Sequence, residues 1–400
     1  MSSITHQYVA TCTSGVEGVL AAELRGLPEV SNVKELRGAV AFNGPLRAGY
    51  RACMWSRTAS RMLIELGDFR GDSADALYDG IRQIDWLQHM AEDGTLAVDF
   101  VGTSDGIRNS HFGAMRTKDA ICDSIRERMD IRPSVDLERP DARVHVHLRQ
   151  GRFTVALDLA GDPLHRRGYR RSAGPAPIKE SLAAAILLLA EWPLAAEAGA
   201  PLVDPMCGSG TFLLEAAGIA LDRAPGLGRS RWGFSRWRQH DPEAWSDVVA
   251  EAQERKHAAN DREIGVFGAD IDPEALRTTK VNAQRAELPI VVRRQAVADS
   301  APPDSPLESP PFGLLVTNPP YGDRLSSRGG ANQVGRELGR TLTRRYWGWR
   351  AVVIAGNRGL AESIGLEPVR SKPLWNGPIE CRLLQFDVGD NPSGPPQGRR

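Results

Sequence analysis

The residue pattern predicts an α/β protein in two parts. A mixed α+β region occupies residues 1–160, and a region built on a parallel sheet follows a Gly-, Pro- and Arg-rich joint at 161–177. Two observations carry this reading. In the first part, short alternating runs (Leu96–Phe100, Val144–Leu148, Phe153–Leu157) read as half-buried strands set among amphipathic helices. In the second, short apolar runs without alternation (Leu202-Val203, Val266-Phe267, Leu314–Val316, Ala351–Ile354) are separated by helical stretches. That is the βαβ order of a sheet covered on both faces. The 400 residues fit two or three domains at roughly one per 150 residues.

The elements follow in order. Ser14 and Glu17 are spaced as a capping box ahead of a stripe of Val16, Leu20, Leu24 and Leu27. A second helix fits Lys118–Met129, with Ile121, Ile125 and Met129 four apart. Gln150-Gly151 joins two strands as a hairpin turn, and Asn376-Gly377 before Cys381–Phe386 predicts a closing antiparallel hairpin. Ser300–Pro311 reads as a Pro-rich surface loop, 222–262 as an insertion and 389–400 as a disordered tail.

Composition narrows the class. Hydrophobic residues make up 41% and charged residues 25%, with zero formal net charge; this excludes a collagen, a coiled coil and wholesale disorder. No apolar run approaches the ~18 residues of a membrane span. Met1–Gln7 is polar, without a signal-peptide core, so a cytoplasmic protein is expected. Five cysteines (Cys12, Cys53, Cys122, Cys207, Cys381) lack Cys-x-x-Cys spacing, so neither a disulfide framework nor a metal site is expected.

Three segments carry chemistry. Asp204-Pro-Met206-Cys207-Gly208-Ser209-Gly210-Thr211 sits between a strand and a helix. Glycines there let backbone approach a ligand closely, and the helix start offers unpaired N–H groups. The spacing is not that of a nucleotide P-loop. Gly268-Ala-Asp270-Ile271-Asp272-Pro273 ends the next strand. A carboxylate there can take both hydroxyls of a ribose, and Asp270 is nearer the strand end. Asp272 before Pro273 suits a helix cap. Asn318-Pro319-Pro320-Tyr321 ends the strand Phe312–Thr317. Two prolines fix its backbone. The Asn318 amide oxygen and the Pro319 carbonyl can accept from one –NH₂ group, and Tyr321 offers a face for a planar base. Such a site suits a planar nitrogen nucleophile meeting an electrophilic methyl, with no strong base required.

Together these segments resemble class I S-adenosylmethionine-dependent methyltransferases acting on exocyclic or amide nitrogen. More narrowly, the chain resembles the family of RlmL-type 23S rRNA guanine-N2-methyltransferases, which place a ferredoxin-like region and a THUMP domain before the methyltransferase domain. The resembling stretches are Tyr50–Ser60, Ile107–Met115, Leu164–Tyr169, Ala176–Glu180, Asp204–Thr211, Asp222–Gly226, Arg231–Phe234 and Asn318–Tyr321. The resemblance implies a ferredoxin-like region over 1–55, a THUMP RNA-binding domain over 56–160, a basic linker over 161–177 and a Rossmann-like methyltransferase domain over 178–388. It implies S-adenosyl-L-methionine as cofactor and 23S rRNA, or a large-subunit assembly intermediate, as partner, with no membrane and no metal. It implies the N2 amine of guanine 2445 as acceptor. N-methylation of a tRNA base and a non-catalytic assembly role are the alternatives. Some family members carry a second methyltransferase domain; this chain stops, so that activity is not expected. The family's acidic residue toward the cofactor adenine would fall near Ala296, so either Asp299 takes that role or backbone groups do.

RNA contacts must come from local placement, because residues 1–160 hold 19 Lys/Arg against 22 Asp/Glu. Arg108, Asn109, Ser110, Arg116 and Lys118 cluster around Gly113. His165, Arg166, Arg167, Arg170 and Arg171 surround Tyr169 on the linker, a basic patch with an aromatic suited to phosphate and base. Arg229, Arg231, Arg236 and Arg238 with Trp232, Phe234 and Trp237 form either a second patch or a packing surface within the insertion.

Overall fold

The computed structural model describes residues 4–170, 178–303, 313–320, 328–377 and 379–389. It divides into two compact units, each built on its own sheet.

The first unit comprises Met1–Cys12, Leu20–Leu164 and Arg229–Glu251. Its elements are β1 (His6–Thr11), α1 (Glu17–Arg25, which begins just outside the unit), β2 (Ser31–Leu36), β3 (Ala39–Gly44), α2 (Leu46–Trp55), β4 (Arg61–Arg70), α3 (Ala74–Arg82), β5 (Thr95–Val101), α4 (Ser110–Met129), β6 (Ser134–Val135), β7 (Ala142–Arg149) and β8 (Arg152–Asp158). Eight strands form one sheet in the order β2-β3-β1-β4-β8-β7-β5-β6. The β7–β8 hairpin turns at Gln150 and Gly151, both with positive φ, as the sequence predicts. Helix α4 starts eight residues earlier than the apolar spacing suggests, because Asn109 caps it by accepting from the His111 N–H. At α1, Glu17 accepts from the Gly15 N–H.

The insertion is not a single appendage of the parallel sheet. Its 229–251 segment belongs to the first unit. Trp232, Phe234 and Trp237 are buried there. Phe234 lies 4.6 Å from the Tyr50 ring and 4.9 Å from that of Trp245. Arg229 stacks on Trp232 and donates to the carbonyls of Ala160, Asp162 and Pro163; Arg231 donates to those of Arg139 and Pro140. Packing therefore uses the aromatic–arginine pattern here.

The second unit comprises Thr13–Val19, His165–Gly228 and Ala252–Arg400. It contains α5 (Glu180–Leu189), α6 (Trp192–Glu197), β9 (Leu202–Asp204), α7 (Thr211–Ala220), the end of α8 (Pro242–Ala258), β10 (Val266–Asp270), α9 (Pro273–Ala286), β11 (Val291–Arg294), β12 (Leu314–Thr317), α10 (Arg328–Arg345), β13 (Arg350–Ala355), α11 (Arg358–Ser363), β14 (Arg370–Asn376) and β15 (Ile379–Asp387). The sheet order is β11-β10-β9-β12-β13-β15-β14. Strands β9 to β13 are parallel, and β14–β15 close the edge as the expected antiparallel hairpin. The apolar strands carry no alternation because both faces are covered: all four residues of β12 are buried. From β9 the chain runs outward through β10 and β11, then returns to β12 on the other side. That reversal is a topological switch point, where the carboxyl ends of parallel strands leave a crevice. Ser300, expected on a surface loop, is instead buried and shares a hydrogen bond with Tyr346. Arg171, Tyr321, Phe312 and the tail from 390 onward lie outside the described residues.

Candidate active site

A cavity of about 680 Å³ opens at the switch point. It is lined by the ends of three parallel strands and their following turns: Asp204 through Ser209 with Thr211, Asp270 through Asp272, and Asn318 with Pro320. The three segments singled out in the sequence thus meet in one place.

The first turn is held open by its own backbone. Gly208 and Gly210 have φ of 54° and 82°, conformations that cost an L side chain strain. At Gly210 a Cβ would also come 2.6 Å from the Thr279 methyl. Gly208 N–H donates to Asp270 Oδ2 at 2.8 Å, which ties the turn to the end of β10. Two residues of α9 complete the frame: Thr279 Oγ1 donates to the Gly208 carbonyl at 2.7 Å and Asn282 Nδ2 to the Ser209 carbonyl at 3.1 Å. Sequence reasoning missed both. Their signal was a polar pair three apart on the same face as Leu276 and Ala283, and all four are buried. Gly210 caps α7 and does not line the cavity.

The carboxylates divide their roles. Asp270 Oδ1 accepts from the Asp272 N–H at 2.9 Å while its other oxygen holds Gly208. Each oxygen keeps further acceptor capacity, and the residue lines the cavity. Asp272 caps α9 by accepting from Glu274 N–H, as its place before Pro273 predicts. Asp204 is 2% exposed and accepts from Met206 N–H and Thr317 Oγ1. Burial pushes its carboxyl up to about 7, with the nearby Asp270 charge adding to the effect. Burial also raises the Cys207 thiol, so that residue lines the cavity as a neutral group.

Asp299 does not reach the cavity. It is exposed, and its carbonyl accepts from Gln295 and Arg345. Gln295, Ala296 and Val297 line the wall at that level instead. Asp299 ends the 3-10 turn Val297–Asp299 and is absent from the cavity wall.

Asn318 has a buried amide oxygen with no hydrogen-bond partner among the described residues. A buried unpaired acceptor costs about 1–3 kcal/mol unless something supplies a donor. Pro319 is buried behind it and Pro320 lines the cavity.

The basic linker is rebuilt by the structure. Arg167, Tyr169 and Arg170 do not form an RNA-facing surface. Arg167 is 6% and Tyr169 8% exposed. Arg167 pairs with Glu215 at 3.6 Å, and the Tyr169 hydroxyl donates to the same carboxylate. Arg170 pairs with Glu180 at 3.3 Å and donates to Thr211 Oγ1 at 2.6 Å. The run looks like an RNA-binding patch only while the two glutamates of α5 and α7 are unplaced. Arg166 is exposed. In the first unit, Arg116 pairs with Asp75 and stacks on Tyr78, Lys118 pairs with Asp119, and Asn109 is a helix cap. Arg108 is exposed, its Nε donating to the Asp105 carbonyl.

Among the described residues, no helix is long and apolar enough to cross a membrane. Comparison with known proteins agrees with the geometry. The RlmL ferredoxin-like model matches residues 7–63 and the THUMP model 71–158. A curated relative from Methylococcus capsulatus, ribosomal RNA large subunit methyltransferase K/L, is 46% identical over 96% of this chain and 52% of its own length. The chain spans about half the length of the curated relatives it matches. A Listeria monocytogenes structure, a predicted N6-adenine-specific DNA methylase, is 29% identical with a TM-score of 0.83, covering 96% of both chains. A protein described as a methyltransferase complexed with SAH is 27% identical with a TM-score of 0.82, covering 98% of this chain and 99% of that one. The model for the RMKL-like methyltransferase domain matches residues 167–385, more than half of the chain, and the protein belongs to that family.

Proposed function

We propose that the protein transfers a methyl group from S-adenosylmethionine to the exocyclic N2 amine of a guanine in 23S rRNA, guanine 2445 by its resemblance to the family. The observation that carries this reading is the buried Asn318 oxygen, without a hydrogen-bond partner among the described residues, in the same cavity as the glycine turn and Asp270. The cavity fits the cofactor's chemistry. Asp270 offers lone pairs for hydroxyls, the start of α7 offers N–H groups, and Asp204 sits where a positive charge would favour its ionised form. When bound, the cofactor supplies a methyl on a sulfonium.

The chain's own residues do the rest. Asn318 accepts one N–H of the amine and so aims the nitrogen lone pair. The two prolines keep that acceptor in place. No side chain need take the proton before attack, since the methylated nitrogen loses it to water. A base stacked in a helix cannot present this amine, so the target must be flipped out. Catalysis then rests on orientation. The curated relatives named for large-subunit rRNA, together with the THUMP match, support RNA as substrate.

The test is product identity. The protein, labelled S-adenosylmethionine and 23S rRNA lacking the modification should yield N2-methylguanosine on nucleoside analysis. N6-methyladenosine, as the Listeria neighbour's name would suggest, would overturn the guanine assignment.

A further inference from the structure

Helix α10 comes next in the chain after the Asn318-Pro319-Pro320 turn, and its Val334 and Glu337 line the cavity. One face packs inward through Ala331, Leu338, Leu342 and Tyr346. The opposite face is exposed and carries Arg336, Arg340 and Arg344, four residues apart, with Trp347 just beyond. Four residues of helix rise about 6 Å, so the three guanidinium groups form a row leading away from the cavity.

None of the three arginines has an ion-pair partner among the described residues. Trp347 is 41% exposed, yet its indole N–H donates to the Thr343 carbonyl, which fixes the ring's orientation at the surface. Arg345 donates to the Asp299 carbonyl at 2.9 Å, and Arg293 of β11 lies near enough to act on the same Tyr346 phenol as Arg345. Glu337 borders the cavity and accepts from Gln333 at 3.0 Å, and Asp299 is exposed beside Arg345.

Like charges four apart on a helix repel. A row of them with an oriented aromatic at its end matches a strand of phosphates carrying unstacked bases. We propose that this face of α10 is a track for single-stranded RNA flanking the target base, with phosphates on Arg336, Arg340 and Arg344 and a base on Trp347. This rests on the reading of the substrate as RNA. The regular spacing, the exposed indole and the lead toward the cavity favour RNA over an acidic protein.

The test is RNA affinity across salt concentrations for the full chain carrying Arg336→Ala, Arg340→Ala and Arg344→Ala together. The probes are an unmodified 23S rRNA fragment and a uridine oligonucleotide of equal length. Each single-strand phosphate contact contributes a salt slope of about 0.7, so three lost contacts should lower the slope by about 2 and weaken binding about 100-fold at 0.1 M salt. Lysine at all three positions should restore most of the loss, and Trp347→Leu should cost roughly tenfold. Affinity for S-adenosylhomocysteine should not change. An unchanged RNA affinity and slope would overturn the track and leave the face to an acidic protein partner. An equal loss of S-adenosylhomocysteine affinity would overturn it as well, by showing a structural role. Failure of the wild type to methylate guanine would refute the proposed function without touching these slopes.

Discussion

Asp204 ends β9 inside the fold, and its raised proton affinity has a measurable consequence. Its folded pKa, about 7, lies above the ordinary value of 3.8. The native state therefore holds a proton that the unfolded chain releases. The stability this confers is complete below the ordinary carboxylate range and drains away as pH rises toward 7. The melting temperature of the ligand-free protein should fall between about pH 4 and pH 7, the interval between the two values. Asp204→Asn should flatten that part of the profile; a wild-type curve already flat there would contradict the burial argument. Asp270 makes a separate prediction. Asp270→Ala should weaken S-adenosylmethionine binding by about 1.5–3 kcal/mol, the scale of a lost charge-assisted hydrogen bond. Calorimetry measures it, and an unchanged constant would move the role to Asp272. Both aspartates were legible because a carboxylate at a parallel-strand end has few other uses. Thr279 and Asn282 were not, because the same residues on most helices face water.

At the scale of elements, composition misled wherever a charge had a distant partner. Arg167 and Arg170 read as part of an RNA-binding basic patch, but Glu215 and Glu180 lie further along the chain and meet them only once α5 and α7 are packed. Arg170→Met should leave Glu180 buried without its cation and destabilise the fold by on the order of 3–5 kcal/mol. A chemical-denaturation midpoint reports this. Wild-type stability joined to weaker, less salt-dependent RNA binding would restore the RNA-patch reading. The 229–251 segment follows the same logic. Its arginines and aromatics carry no mark of the unit they join, and Tyr50 and Trp245 decide it. The parallel strands were readable because a strand buried on both faces must be apolar throughout. The start of α4 was not, because its first turns carry polar, exposed residues ahead of the apolar spacing.

For the whole molecule, the family models and the structure agree on a ferredoxin-like region, a THUMP domain and a methyltransferase domain with its cavity at the switch point. That a mixed α+β region precedes a parallel sheet followed from hydrophobic patterning. The union of the three chemical segments also followed, because each lies at a strand's carboxyl end and parallel strands bring those ends to one edge. The central claim is that Asn318 acts on the reacting amine and on little else. The most direct test is a single-turnover methyl-transfer rate for Asn318→Ala, measured with saturating cofactor on 23S rRNA lacking the modification. The rate should be lower by on the order of 10²-fold, with S-adenosylmethionine and RNA dissociation constants close to wild type. A near wild-type rate, or a loss wholly explained by weaker binding of either ligand, would contradict it.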